Sequence, residues 1–156
     1  MDCGAHCAAT QQVFNPKTVE SDLRRYRRRG PDPSTRLILE VLKADRRIQP
    51  ERCIIDHVEE HTVQMVLDHG HWAGMTLYPE SKCTGARAAD ILETFGQERL
   101  WMNSACDWGV SVPLAVPYAA LDMKKRGQSS EAIDKMIYQN PIRFLSQCPK
   151  FKLLKN

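Results

Sequence analysis

The sequence predicts an α/β fold of the barrel kind, with parallel strands and functional side chains at the strand ends. Two observations predict it. From Ser34 onward, short apolar runs alternate with segments of helical periodicity, and alternation with short connections implies parallel strands joined by right-handed crossovers. Two of the apolar runs also end in chemically useful side chains. Cys53, Ile54, Ile55 and Asp56 lead to His57; Leu100, Trp101 and Met102 lead through small polar residues to Asp107, with Gly109 and Pro113 behind it. Buried parallel strands end this way when they hand an imidazole or a carboxylate to a site at their C-terminal mouth. The pair points to a metal site.

The elements follow in order. Leu37, Ile38, Val41 and Leu42 recur at helical spacing, with Ser34 as the N-cap. Pro50 precedes a strand at 52–57. A helix from about 60 to 69 presents Val63, Val66 and Leu67 on one face and stops at Gly70. The next strand runs from Trp72 to Tyr78 and is closed by Pro79. Thr84 caps a helix whose Ala88, Ile91, Leu92 and Phe95 form an i, i+3, i+4, i+7 stripe, ended by Gly96. A strand at 99–104 follows, and then three helices, at about 112–126, 130–138 and 141–147. Ser129 caps the second, and Pro141 opens the third at its first helical position. The order is α-β-α-β-α-β-α-α-α.

Residues 1–33 form a separate, basic segment. They hold few apolar residues, no sustained period and the run Arg24, Arg25, Tyr26, Arg27, Arg28, Arg29, before Gly30-Pro31-Asp32-Pro33 breaks the chain. A loop, a loose helix around 18–28 or disorder is expected there, and residues 34–156 carry the fold.

Composition narrows the function classes. The chain has 156 residues and a formal net charge of +3, which by itself argues for neither nucleic acid nor a membrane surface. No apolar run approaches the roughly 18 residues that a membrane span needs. Met1-Asp2-Cys3-Gly4 lacks the basic-then-apolar layout of a signal peptide. The six cysteines are scattered, and Cys53 sits within an expected buried strand. A reduced, cytoplasmic chain is therefore expected rather than a disulfide framework.

From Ser34 to Phe151 the chain resembles the C-terminal part of TatD-like metal-dependent hydrolases, in the amidohydrolase superfamily. Four segments carry the resemblance: Cys53 to Thr62 with His57 at its centre; Trp72 to Pro79; Met102-Asn103-Ser104-Ala105-Cys106-Asp107-Trp108-Gly109; and Tyr138 to Leu145. The resemblance implies part of a TIM-type (β/α)8 barrel, with about three parallel strands, flanking helices and a helical C-terminus. It implies that His57 is the metal-binding histidine ending strand six. Asp107 corresponds to the strand-eight aspartate, which binds metal and takes a proton from the attacking water. The implied cofactor is a divalent metal, zinc or manganese, activating water to hydrolyse an ester, amide or phosphoester. Asn103, Glu80 and Tyr78 lie near the same rim without an assigned role.

A complete barrel of this kind needs about 250 residues. The family's strand-one His-x-His pair, its strand-four acidic or lysine ligand and its strand-five histidine have no match in residues 1–33. A truncated barrel with reduced or no activity alone is the expectation. The alternative is a non-catalytic α/β fragment or module that self-associates or needs a complementing chain. The small-molecule substrate is not defined by the sequence.

Other motifs are weaker. His57 to His61 fits H-x-x-E-H, but that zinc motif needs both histidines on one helical face, and the run before His57 reads as strand. His69-Gly70-His71 lies between a helix end and a strand start, at the bottom of a barrel, where a helix C-cap is the simpler reading. Cys3, His6 and Cys7 lack a fourth ligand at finger-like spacing. The arginine run could contact phosphates, but no second basic cluster matches it, so nucleic acid is not expected as a partner.

Overall fold

The computed structural model describes the backbone of residues 7–9 and residues 33–78, 82–106 and 111–153. The arginine run at 24–29, the side chains of Cys3, His6 and Cys7, and residues Pro79, Glu80, Asp107 and Gly109 lie outside the described residues.

Four parallel strands form one sheet in the order β1-β2-β3-β4: β1 (Cys7–Ala9), β2 (Ile54–Asp56), β3 (Trp72–Leu77) and β4 (Leu100–Ser104). The three expected strands are present. β1 adds a fourth, within the segment where the sequence showed no strand. The helices are α1 (Pro33–Ala44), α2 (Val63–Asp68), α3 (Gly85–Phe95), α4 (Ala115–Lys125), α5 (Ser130–Asp134) and α6 (Asn140–Leu145).

Local chemistry explains most boundaries. α1 starts one residue before Ser34, because proline at a first helical position has no N–H to satisfy. The residues before β2 form a 3-10 turn at Pro50–Arg52, which shortens the strand expected at 52–57. The Thr84 hydroxyl accepts from Arg87 N at 3.2 Å and caps α3, and Gly96 ends it with φ 78. The helices expected at 130–138 and 141–147 are one continuous run. A π-helical turn over Lys135–Gln139 joins α5 to α6. Pro141 cannot donate to the preceding turn, and a wider turn absorbs that loss.

Register assigns the two faces of the sheet. Ile54 pairs with Trp72, Ile55 with Ala73, and Thr76 with Asn103, and alternate residues point to opposite faces. Ile55, Ala73, Met75, Leu77, Leu100 and Met102 form the helix-covered face, and they belong to the main core with Leu39, Val63, Val66, Ile91 and Met123. On α1 the buried position is Leu39, while Leu37 and Val41 stand 61% and 62% exposed. Of the expected apolar residues, Ile38 and Leu42 pack against the core beside Leu39, while Leu37 and Val41 face outward.

The opposite face has two layers. At the N-terminal ends of the strands, Trp72 and Trp101 pack with Phe144 of α6, with ring centroids 5.0–6.1 Å apart. Ile54 joins this cluster. Asn140 ties α6 to the sheet by donating from its amide to Gln97 O at 2.7 Å and Leu100 O at 2.6 Å. Nearer the C-terminal ends the same face turns polar, with Asp56, Thr76 and Asn103.

Cys53, Cys83 and Cys106 are free thiols, but Cys148 is disulfide-bonded. The fully reduced chain expected from the sequence is thus corrected at that position. Among the described residues no helix is long and apolar enough to cross a membrane.

Candidate functional site

The polar layer is built by a close approach of two strands. Asp56 ends β2, and its carboxylate leans over Gly74 of β3, where a Cβ would stand 2.5 Å from Oδ1. Only glycine leaves this space, which is why a glycine interrupts an otherwise bulky buried strand. The Thr76 hydroxyl donates to Asp56 Oδ1 at 2.8 Å. Asn103 Nδ2 lies 3.5 Å from Asp56 Oδ2, and its own Oδ1 is buried without a hydrogen-bond partner among the described residues.

His57 follows Asp56 at the rim with φ 61. A non-glycine residue in the left-handed region costs on the order of 1 kcal/mol or more. The surrounding chain enforces it: Asp56 is fixed in the strand, and Val58 N–H donates back to Gly74 O at 3.0 Å. Such strain collects where a side chain must be aimed.

Lys82 meets His57 there. Its Nζ is 3.5 Å from His57 Nδ1 and 4.9 Å from the centroid of the Tyr78 ring. The Lys82 backbone is tightly held: its N–H donates to Tyr78 O at 2.9 Å, and its carbonyl accepts from Arg87 Nη1 at 2.8 Å. Arg87 in turn clamps the β2–α2 connection, donating to Glu60 at 2.6 and 2.8 Å and to Glu59 at 3.1 Å. Burial alone would raise the Glu60 carboxyl, but the Arg87 hydrogen bonds and charge outweigh it and hold it below the ordinary carboxylate range. Burial pushes the neighbouring Cys83 thiol up to about 12, so it is no nucleophile. Lys82 and the β2–α2 connection are thereby both tied to Arg87.

This geometry positions the chain among known proteins. No family model matches the sequence. An uncharacterized metal-dependent hydrolase of Methanocaldococcus jannaschii is 27% identical over 105 residues, covering 66% of this chain and 41% of that protein. The TatD-like protein of Archaeoglobus fulgidus superposes with a TM-score of 0.54 at 21% identity, covering 90% of this chain and 59% of that one. The chain carries part of the fold of that TatD-like protein. A beta-aspartyl dipeptidase from Fervidobacterium islandicum, solved with a beta-Asp-Leu dipeptide, matches with a TM-score of 0.51 at 18% identity over 68% of this chain and 34% of that one. This chain thus spans about two fifths of the curated relative, and 59% and 34% of the two solved proteins.

The TatD-like frame sorts the sequence-derived site residues. His57 is at the C-terminal end of β2, on the rim that the parallel strands share; Asp107 lies outside the described residues. Among the described residues no three His, Cys, Asp or Glu side chains converge as metal ligands. Lys82 Nζ stands 3.5 Å from His57 Nδ1, so the ring as placed does not present that nitrogen to a cation. The H-x-x-E-H reading fails on geometry, because α2 begins only at Val63, after both histidines. His69 is the C-cap of α2, with Nδ1 2.8 Å from Met65 O, and Gly70 has φ 84. A cavity of ≈ 390 Å³, lined by Arg46, Asp68, His69 and His71 among others, opens beside them. It sits at the N-terminal ends of the strands, away from His57.

Asp56 and Lys82 were not singled out from the sequence. Gly74 was the available signal for Asp56, since a glycine inside a buried strand marks a close backbone approach. Nothing local in the sequence points from Lys82 to His57.

Proposed function

We propose that this chain supplies the C-terminal wall of a TatD-like metal-dependent hydrolase site, with His57 and Asp107 as ligands of a divalent cation, zinc or manganese. Asp107 also accepts a proton from the attacking water, and the bond cleaved is an ester, amide or phosphoester. A bound divalent cation brings the pKa of its water towards 7. The observation that carries this reading is the placement of His57: a strained backbone with φ 61 at the C-terminal end of a parallel strand, in a TatD-like fold. The layer of Asp56, Thr76 and Asn103 forms the floor beneath that rim. Catalytic metal sites take about three protein ligands, so the chain alone has reduced activity or none. Elemental analysis after purification tests the reading: stoichiometric zinc or manganese, lost in His57→Ala and in Asp107→Ala, is expected. No metal in any preparation of the wild-type chain overturns it.

A second reading, a non-catalytic module that self-associates, is favoured by exposed apolar side chains. Leu114, Tyr118 and Leu121, at and along α4, are 53–55% exposed, and contiguous apolar exposure marks association surfaces. Sedimentation should show concentration-dependent dimers or larger species; a monodisperse monomer at all concentrations contradicts this reading.

A further inference from the structure

We infer that the cavity at the N-terminal ends of the strands binds a small oxyanion, a phosphate or phosphate monoester, between the Lys43 and Arg46 side chains and the buried ring of His71. The inference goes beyond the hydrolase reading and stands independently of it, because the cavity lies at the opposite end of the sheet from His57.

Chain order and space define the cavity. The turn after α1 supplies Asp45, Arg46 and Ile48, and the end of α2 supplies Asp68 and His69. The volume of ≈ 390 Å³ is within the range of small-molecule sites. His71, just before β3, also lines it. This ring is 2% exposed, yet its Nδ1 has no hydrogen-bond partner among the described residues. A buried polar atom left so is destabilising, and a polar occupant of the cavity would satisfy it.

Charge selects the occupant. Both carboxylates on the wall are already engaged: Asp45 accepts from Arg47 Nε at 2.9 Å and Nη2 at 2.6 Å, and Asp68 accepts from Gln64 Nε2 at 2.7 Å. Lys43 and Arg46 have no carboxylate partner among the described residues. The C-terminal end of α2, negative by its dipole, is covered by Arg99, which donates from Nη2 to Leu67 O at 2.9 Å. With the two arginines that adjoin the wall, Arg47 and Arg99, four cationic side chains stand against two carboxylates, so the excess charge is positive. A guanidinium pairs with an oxyanion through two oxygens, and an ammonium meets it as a point charge. A phosphate oxygen can accept from His71 Nδ1, and a phosphate hydroxyl can donate to it, so the site serves either tautomer. Leu42, Ile48 and Pro50 add an apolar wall for the carbon skeleton of a monoester.

Amide ¹H–¹⁵N spectra of the full chain, titrated at constant ionic strength with inorganic phosphate and separately with glycerol 2-phosphate, test this. Saturable shifts confined to residues 43–48 and 68–71 are expected. Tighter binding of the glycerol ester identifies an organic monoester as the ligand class, and tighter binding of inorganic phosphate identifies the free ion. Arg46→Gln should weaken binding about tenfold, the usual effect of losing a charged hydrogen bond. Lys124→Met, which removes an equal charge from α4, should leave binding unchanged. His71→Leu should weaken it about threefold or more, and His71→Asn, which keeps a side-chain polar group near the place of Nδ1, should retain most of the affinity. Shifts that never saturate or that spread over the surface overturn the proposal. So does an equal loss in Lys124→Met, or wild-type affinity in His71→Leu.

Discussion

Gly74 lies beneath the carboxylate of Asp56, so close that a methyl group in place of its hydrogen would stand 2.5 Å from Oδ1 and 3.2 Å from Cγ. Two strands are thus keyed together by the absence of one side chain. Gly74→Ala should expel the carboxylate from its bond with Thr76 and destabilise the fold by about 1–3 kcal/mol, the usual cost of overpacking. Combining it with Asp56→Ala should recover part of that loss, because the clash is with the carboxylate itself. Thermal melts of the two single variants and the double variant form the cycle. Simple additivity would show that the close approach does not govern this part of the sheet.

The clamp at Arg87 should matter more than a surface ion pair. Its side chain is 15% exposed, as is that of Glu59. Arg87→Met leaves two carboxylates facing one another in a partly buried place and should cost about 3 kcal/mol, read as a shift in the urea midpoint at neutral pH. Because Glu60 titrates below its unfolded value, its stabilising contribution is complete above about pH 4.3 and is lost as pH falls through the lower folded value. The variant should therefore show a shallower loss of stability in acid than the wild type. Equal acid slopes would remove Arg87 from this role.

His71 gives the opposite titrating type. It is 2% exposed, and burial, ahead of the neighbouring His69 and Arg99 charges, holds its pKa below the ordinary imidazole value. The folded state then binds this proton less readily than the unfolded chain. Stability is complete above about pH 6.5 and declines as pH falls from there towards the lower folded value. Melting temperature should drop between pH 7 and pH 5, and His71→Leu should flatten that drop. An unchanged slope in the variant would assign the effect to other groups.

The fold was legible wherever local pattern and burial coincide. Trp72–Leu77 is buried at every position, and a continuous apolar run bounded by glycine and proline reads as a central parallel strand. Thr84 and Gly96 bracket α3 as cap residues do. β1 was not legible, because Cys7–Ala9 is three small residues without a period. On α1 the spacing marks Ile38 and Leu42, which pack against the core, but it also marks Leu37 and Val41, which are exposed, and only tertiary packing selects Leu39 as the buried centre. In the site, His57 was legible as the end of an apolar run. The contacts of Asp56 with Thr76, and of Lys82 with His57, join residues 20 and 25 positions apart and exist only once the strands are in register.

The thiol inventory provides a chemical check. Cys148 is disulfide-bonded, whereas Cys53, Cys83 and Cys106 are free. Alkylation of the unfolded chain without reductant should leave Cys148 unlabelled and label Cys53, Cys83 and Cys106. Adding reductant first should label Cys148 as well. Full labelling of Cys148 without reductant would contradict the bond.

The account stands on a divalent cation held at the C-terminal rim of the sheet. Anomalous diffraction from crystals grown with zinc or manganese measures that directly. The expected result is a peak about 2.0–2.2 Å from a His57 ring nitrogen and from an Asp107 carboxylate oxygen. A metal bound instead at His69 and His71, or a His57 rim left without one in metal-saturated crystals, would contradict it.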